Sequence, residues 1–195
     1  MCRSLHSLAA VGLLASLVTL GAQAQEAANP DVLFRQLQSP GKTDSAAHEF
    51  VKLKANVAVR DYLRSHVALM IREGPHPCRQ CWDNAADLAG KFRIAEAVPA
   101  LAAWIGSGRG SGTLTFAEEA RLANDPAGKA LAEIGDPSVV ALARVLARGN
   151  LNQRWNAFHA LNLIGSPRAR QALQDHMKEE PDPSLRKLIG QTLNG

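Results

Sequence analysis

The chain has 195 residues, 46% of them hydrophobic, which suits one domain with a real core and no obligatory staples. Its formal net charge of +4 is spread along the chain, so charge alone demands neither nucleic acid nor a membrane as partner. Aromatic residues make up only 5%, alanine and leucine abound, and β-branched residues do not alternate, which points to helices packed on helices.

Arg3, the apolar run Leu8–Leu20 and the small-x-small site "AQA" at Ala22–Ala24 form the pattern of a secretory signal peptide. The run is too short to span a bilayer. Residues 1–24 are therefore expected to be removed, taking Cys2 and Arg3 with them and lowering the net charge by one, to +3. No cysteine lies between Cys2 and Cys78, which argues against a lipid anchor at the cleavage point. The expected location is periplasmic or secreted, with no membrane insertion after cleavage.

Residues 25–44 read as an N-terminal leader with one short helix at Asp31–Leu37. The repeat domain is expected over 45–195. It starts with a degenerate hairpin, Ser45–Ile71, followed by "GPHPCRQCW" and a helix running through "CRQCWDNAADLAG". Three windows of equal length can then be written under one another: "AADLAGKFRIAEAVPAL" (Ala85–Leu101), "AGKALAEIGDPSVVALA" (Ala127–Ala143) and "AFHALNLIGSPRARQAL" (Ala157–Leu173). Gly135 and Gly165 lie 30 residues apart, and Arg93 stands where the first window would have that glycine.

The windows share one physical logic. A first helix carries an apolar stripe, as in Ala157, Ala160, Leu161 and Ile164. A glycine ends it in the left-handed conformation. Asp-Pro or Ser-Pro follows, with a polar side chain to cap the next helix and a proline for its first position. The second helix carries Ala169, Ala172, Leu173 and Met177. One hairpin cannot bury such stripes alone, whereas a stack can. "DPSLRKLIGQTLNG" supplies a final helix with Pro183 in its first turn.

From Ala85 to the C-terminus the chain resembles the HEAT-like repeat family, in the short form also seen in phycobilisome-lyase-type repeats. The residues that carry the resemblance are chiefly "ALAEIGDPSVVALARVL" and "ALNLIGSPRARQAL". It implies an all-α fold: a right-handed superhelical stack of helical hairpins, or α-solenoid. Between the first two windows an insertion contains "GSGRGSGT", Gly106–Thr113. It lacks the lysine and the preceding strand of a phosphate-binding loop, and its glycine spacing fits no dinucleotide motif.

Cys78 and Cys81 are the chemically richest pair. Trp82 follows them where a c-type haem anchor needs histidine, and no βαβ pattern surrounds them as in a thioredoxin-like site. A zinc site has only His76, Cys78 and Cys81 nearby, with His48 or His66 as an unsupported fourth ligand. The remaining reading is a structural Cys78–Cys81 disulfide, since these two are the cysteines that survive signal cleavage in an oxidising compartment. His159 and His176 are expected at surface or boundary positions, and Trp104 and Trp155 in packing roles.

A shift of 30 residues superimposes Arg144 on Gln174 and Arg148 on Lys178, with Arg170 one turn before Gln174. The resemblance puts second helices on the concave face, so these five residues are the candidate partner-binding surface. The sequence reading is thus an exported, non-enzymatic scaffold or adaptor for another protein, with no catalytic, metal or cofactor-binding residues assigned. The competing reading is a metal-binding or thiol-redox accessory protein centred on Cys78 and Cys81, or a lyase by family analogy alone.

Overall fold

A computed structural model describes residues 29–107, 122 and 124–194. The signal-peptide pattern, the first residues of the leader and residues 108–113 of the glycine-rich insertion lie outside them. Ten α-helices follow one another among the described residues. They are α1 (Pro30–Leu37), α2 (Thr43–Lys52), α3 (Val57–Glu73), α4 (Arg79–Lys91), α5 (Val98–Trp104), α6 (Pro126–Ile134), α7 (Val139–Arg148), α8 (Leu151–Ile164), α9 (Pro167–Met177) and α10 (Pro183–Asn194). Short 3₁₀ turns, Ala95–Ala97 and Asp136–Ser138, lead into α5 and α7.

The helices form two layers. In the first, α2, α4, α6, α8 and α10 pack in succession; in the second, α3, α5, α7 and α9 do the same. Each second-layer helix also packs on the first-layer helix that follows it: α3 on α4, α5 on α6, α7 on α8, α9 on α10. This is the stacked-hairpin α-solenoid the repeat pattern implies. The leader's helix α1 packs on α2 and touches α4, so it joins the stack. A single core runs through the stack, from Leu33 and Phe50 through Leu88 and Leu131 to Leu161, Leu173 and Ile189. No helix of the described residues is long and apolar enough to cross a membrane.

The turn between paired helices explains the register of the windows. Gly165 has φ 61° and Gly135 φ 86°. Arg93, at the equivalent place in the first window, has φ 52° and is the one non-glycine residue with positive φ among those described. The first window therefore keeps the turn after losing the residue best suited to it.

The two capping expectations part company. Ser166 accepts from the Ala169 N–H at 3.2 Å with Pro167 at the first helical position, as expected. Asp136 is exposed and caps nothing with its side chain, because the 3₁₀ turn intervenes before α7 begins. Asn150 caps α8 through a reciprocal bond with Gln153: each side chain takes the other's backbone N–H at 3.0 Å.

The last hairpin is closed by a buried charge cluster. Glu180, fully buried, accepts from Arg154 Nε at 3.2 Å, from the Asp182 N–H at 2.9 Å, and lies 2.7 Å from His176 Nε2. The Glu180 carbonyl accepts from Arg186 Nε at 2.8 Å. The cluster thus joins the start of α8, the end of α9, the intervening turn and α10. Burial pushes the Glu180 carboxyl up, but the Asp182 N–H, the His176 ring and the Arg154 guanidinium outweigh it and hold the carboxyl below its ordinary range.

Candidate functional site

The residues that lead into Cys78 are shaped by packing. Gly74 ends α3 at φ 86°, ψ −178° and lies directly under the Trp104 ring, where an added Cβ would sit 2.5 Å from Cζ2. Trp82 is buried, donates Nε1–H to the Ile71 carbonyl at 3.0 Å, and meets Trp104 edge to face at 6.3 Å. Arg79 lies over the Trp82 ring at 5.4 Å and pairs with Asp83 at 2.8 Å.

Cys78 is the N-cap of α4, and its Sγ accepts from the Cys81 N–H at 3.2 Å. The two sulfurs lie at disulfide distance, 2.01 Å. So short a loop adds little chain-entropy stabilisation, about 2 kcal/mol by the loop-length relation. Among the described residues no group of three His, Cys, Asp or Glu side chains is placed to hold a metal ion. His76 is exposed, while His66 stacks on Tyr62 at 3.9 Å.

Next to Ser107, whose carbonyl accepts from Arg79 Nη1 at 3.5 Å, Gly106 donates its N–H to Asp125 Oδ2 at 2.7 Å, and its carbonyl accepts from Asn152 Nδ2 at 2.6 Å. Asp125 is buried, and burial pushes its carboxyl up, offset only in part by the backbone N–H groups of Gly106, Gly128 and Ala127. Asp125 therefore orders the start of α6 and carries no sign of reacting chemistry.

The basic strip falls on two neighbouring second-layer helices. Val140, Arg144 and Arg148 follow at four-residue spacing along α7, all exposed. Helix α7 contains no acidic residue. On α9, Arg170, Gln174 and Lys178 repeat the spacing, also exposed, with Lys178 just past the helix end. Arg144, Arg148 and Lys178 make no ion pair with another described residue, whereas Lys52, Arg64, Lys91 and Lys129 are each paired with an acid. Arg170 donates to the Leu193 carbonyl at the end of α10, so its guanidinium is held toward the terminal helix.

Val140, 49% exposed, is an apolar spot in this ridge that charge spacing alone did not pick out. The histidines differ from expectation. His159 is buried against Trp155 and Phe158, and His176 is buried beside Glu180. Helix α8 is enclosed by α6, α7, α9 and α10, so even its polar positions lose solvent. Trp155 is buried as a packing residue.

Residues 123–194 match the family model for HEAT repeats. Comparison with curated proteins and with solved structures gives no match.

Proposed function

Because residues 123–194 match the family model for HEAT repeats and continue an all-helical stack, we propose that this protein is an exported, non-catalytic scaffold. Its partner is an acidic segment of another protein, bound along α7 and α9. The observation that carries the reading is the exposed, acid-free ridge of α7, where Arg144 and Arg148 flank Val140 with no ion pair to a described residue. Repeat stacks commonly bind partners along such extended concave surfaces. Unpaired arginines are suited to carboxylates because their guanidinium binds two oxygens at once. Gln174 and Lys178 extend the ridge onto α9.

Export rests on Arg3, the Leu8–Leu20 run and "AQA". N-terminal sequencing of protein from the envelope fraction should give Gln25 first, and an intact Met1 in the cytoplasm would overturn it. For the partner, cross-linking in the envelope fraction should capture a species with the native chain that the Arg144→Glu/Arg148→Glu variant loses. Surface charge reversal on α7 should leave the circular dichroism spectrum unchanged. Equal capture by both proteins would remove the ridge from the proposal.

A further inference from the structure

We propose that Cys78 and Cys81 form a dithiol–disulfide exchange site, with Cys78 as the sulfur that a partner thiol reaches. The proposal stands apart from the α7–α9 ridge and adds to the scaffold one stoichiometric exchange, not turnover. The pair is one-sided: Cys78 is partly exposed, while Cys81 is 1% exposed. Exchange requires a thiolate to approach the sulfur it attacks, so Cys78 alone is open to it. Cys78 also caps a helix of 13 residues. After reduction a Cys78 thiolate keeps the Cys81 N–H as a donor and faces the positive end of α4, with Arg79 next in the chain. Cys81 lies buried behind it.

The surrounding fold does not depend on the bond between the sulfurs. Trp82 ties α4 to the Ile71 carbonyl at 3.0 Å, Asn84 donates to Thr43 Oγ1 at 3.1 Å and to Asp44 Oδ1 at 2.7 Å, and Gln80 donates to Asp44 Oδ1 at 3.0 Å. These contacts fix α4 against α3 and α2 whether the pair is oxidised or reduced. Opening and closing the bond is therefore reversible in place.

The partner is a cysteine pair of an exported polypeptide. Its first thiolate attacks Cys78 Sγ, which forms a mixed disulfide and breaks the Cys78–Cys81 bond. The electron pair leaves on Cys81 Sγ, which takes up a proton. The partner's second thiolate then attacks the partner sulfur of the mixed disulfide, closing the partner's own disulfide and releasing the Cys78 thiolate. The partner dithiol loses two electrons and two protons. This protein gains both electrons and one proton, and the other proton goes to solvent.

Glutathione and dithiothreitol serve as the probes, with labelling read position by position by mass spectrometry. In the folded, dithiothreitol-reduced wild-type protein, iodoacetamide should label Cys78 at least tenfold faster than Cys81. The Cys81→Ser variant should form a mixed disulfide with oxidised glutathione at least tenfold faster than Cys78→Ser. Equal labelling of the two cysteines in the wild-type protein would overturn the proposal. So would a wild-type pair that stays oxidised in excess reduced glutathione until the protein unfolds.

Discussion

Replacing Gly74 by alanine separates two costs that meet at one atom. The first is in the backbone. With φ 86° and ψ −178°, Gly74 occupies a region that side-chain-bearing residues avoid, and holding one there costs about 1–3 kcal/mol. The second is steric. The new Cβ would lie 2.5, 3.0 and 3.2 Å from Cζ2, Cη2 and Cε2 of Trp104. That ring cannot turn away freely, because it is held edge to face against buried Trp82. Overpacking of this kind costs about 1–3 kcal/mol. Together they predict a loss of about 4 kcal/mol for Gly74→Ala, the middle of the summed range. Urea denaturation followed by tryptophan fluorescence should show a lower midpoint with an unchanged slope. In a Trp104→Ala background the same substitution should cost only the backbone part, leaving a coupling of about 1–3 kcal/mol. A loss below about 0.5 kcal/mol, ordinary for a tolerated surface change, would refute the reasoning. An equal loss in both backgrounds would refute the contact with Trp104.

Leu161→Ala removes a fully buried side chain between repeats and should destabilise by about 2–5 kcal/mol in the same titration; no change would mean the hairpins do not stack on this face. Glu180→Gln should cost toward the low end of about 3–5 kcal/mol, since Arg154 keeps 15% exposure and can recover some hydration. Because the Glu180 carboxyl is held below its ordinary 4.5 in the folded state, its contribution is present above that pH and lost as pH falls through the folded value. Wild-type stability should therefore decline more steeply than that of Glu180→Gln below pH 4.5, and parallel curves would refute the assignment. Asp125 carries the opposite sign: its raised folded-state value makes stability rise as pH falls, so Asp125→Asn should steepen the acid decline. Arg93→Gly should raise stability by about 0.5–1 kcal/mol, because relief of the left-handed cost outweighs glycine's extra freedom in the unfolded chain. A lower melting temperature would show that exposed Arg93 makes a contact worth more than that relief.

The repeats were readable because their turn chemistry is local. Gly135, Gly165 and the proline two residues after each mark the hairpins without knowledge of any distant residue. The same holds for Cys78 and Cys81, whose spacing alone places them within one turn of a helix. The Glu180 cluster was hidden because Arg154 comes from α8, far in sequence from His176, Glu180 and Arg186, and each alone looks like an ordinary solvated charge. Helix α8 concealed its buried His159 for a related reason: enclosed by four helices, it shows no polar side against which burial could be judged. Gly74 belongs to the same class, since only the arrival of Trp104 from α5 makes a side chain there intolerable. The ridge of α7 and α9 followed from the 30-residue offset, but the turn of Arg170 toward Leu193 depends on α10, which lies outside that offset.

Gly106 offers an engineering handle. Its N–H reaches Asp125 at the entrance to α6, and its carbonyl accepts Asn152 at the start of α8. The polypeptide thus departs from α5 and comes back to α6 at a single anchored spot, and the repeats on either side are registered by those bonds. Cutting one of those bonds, as in Asn152→Ala, should loosen the seam between α5 and α8 without modifying the α7–α9 ridge.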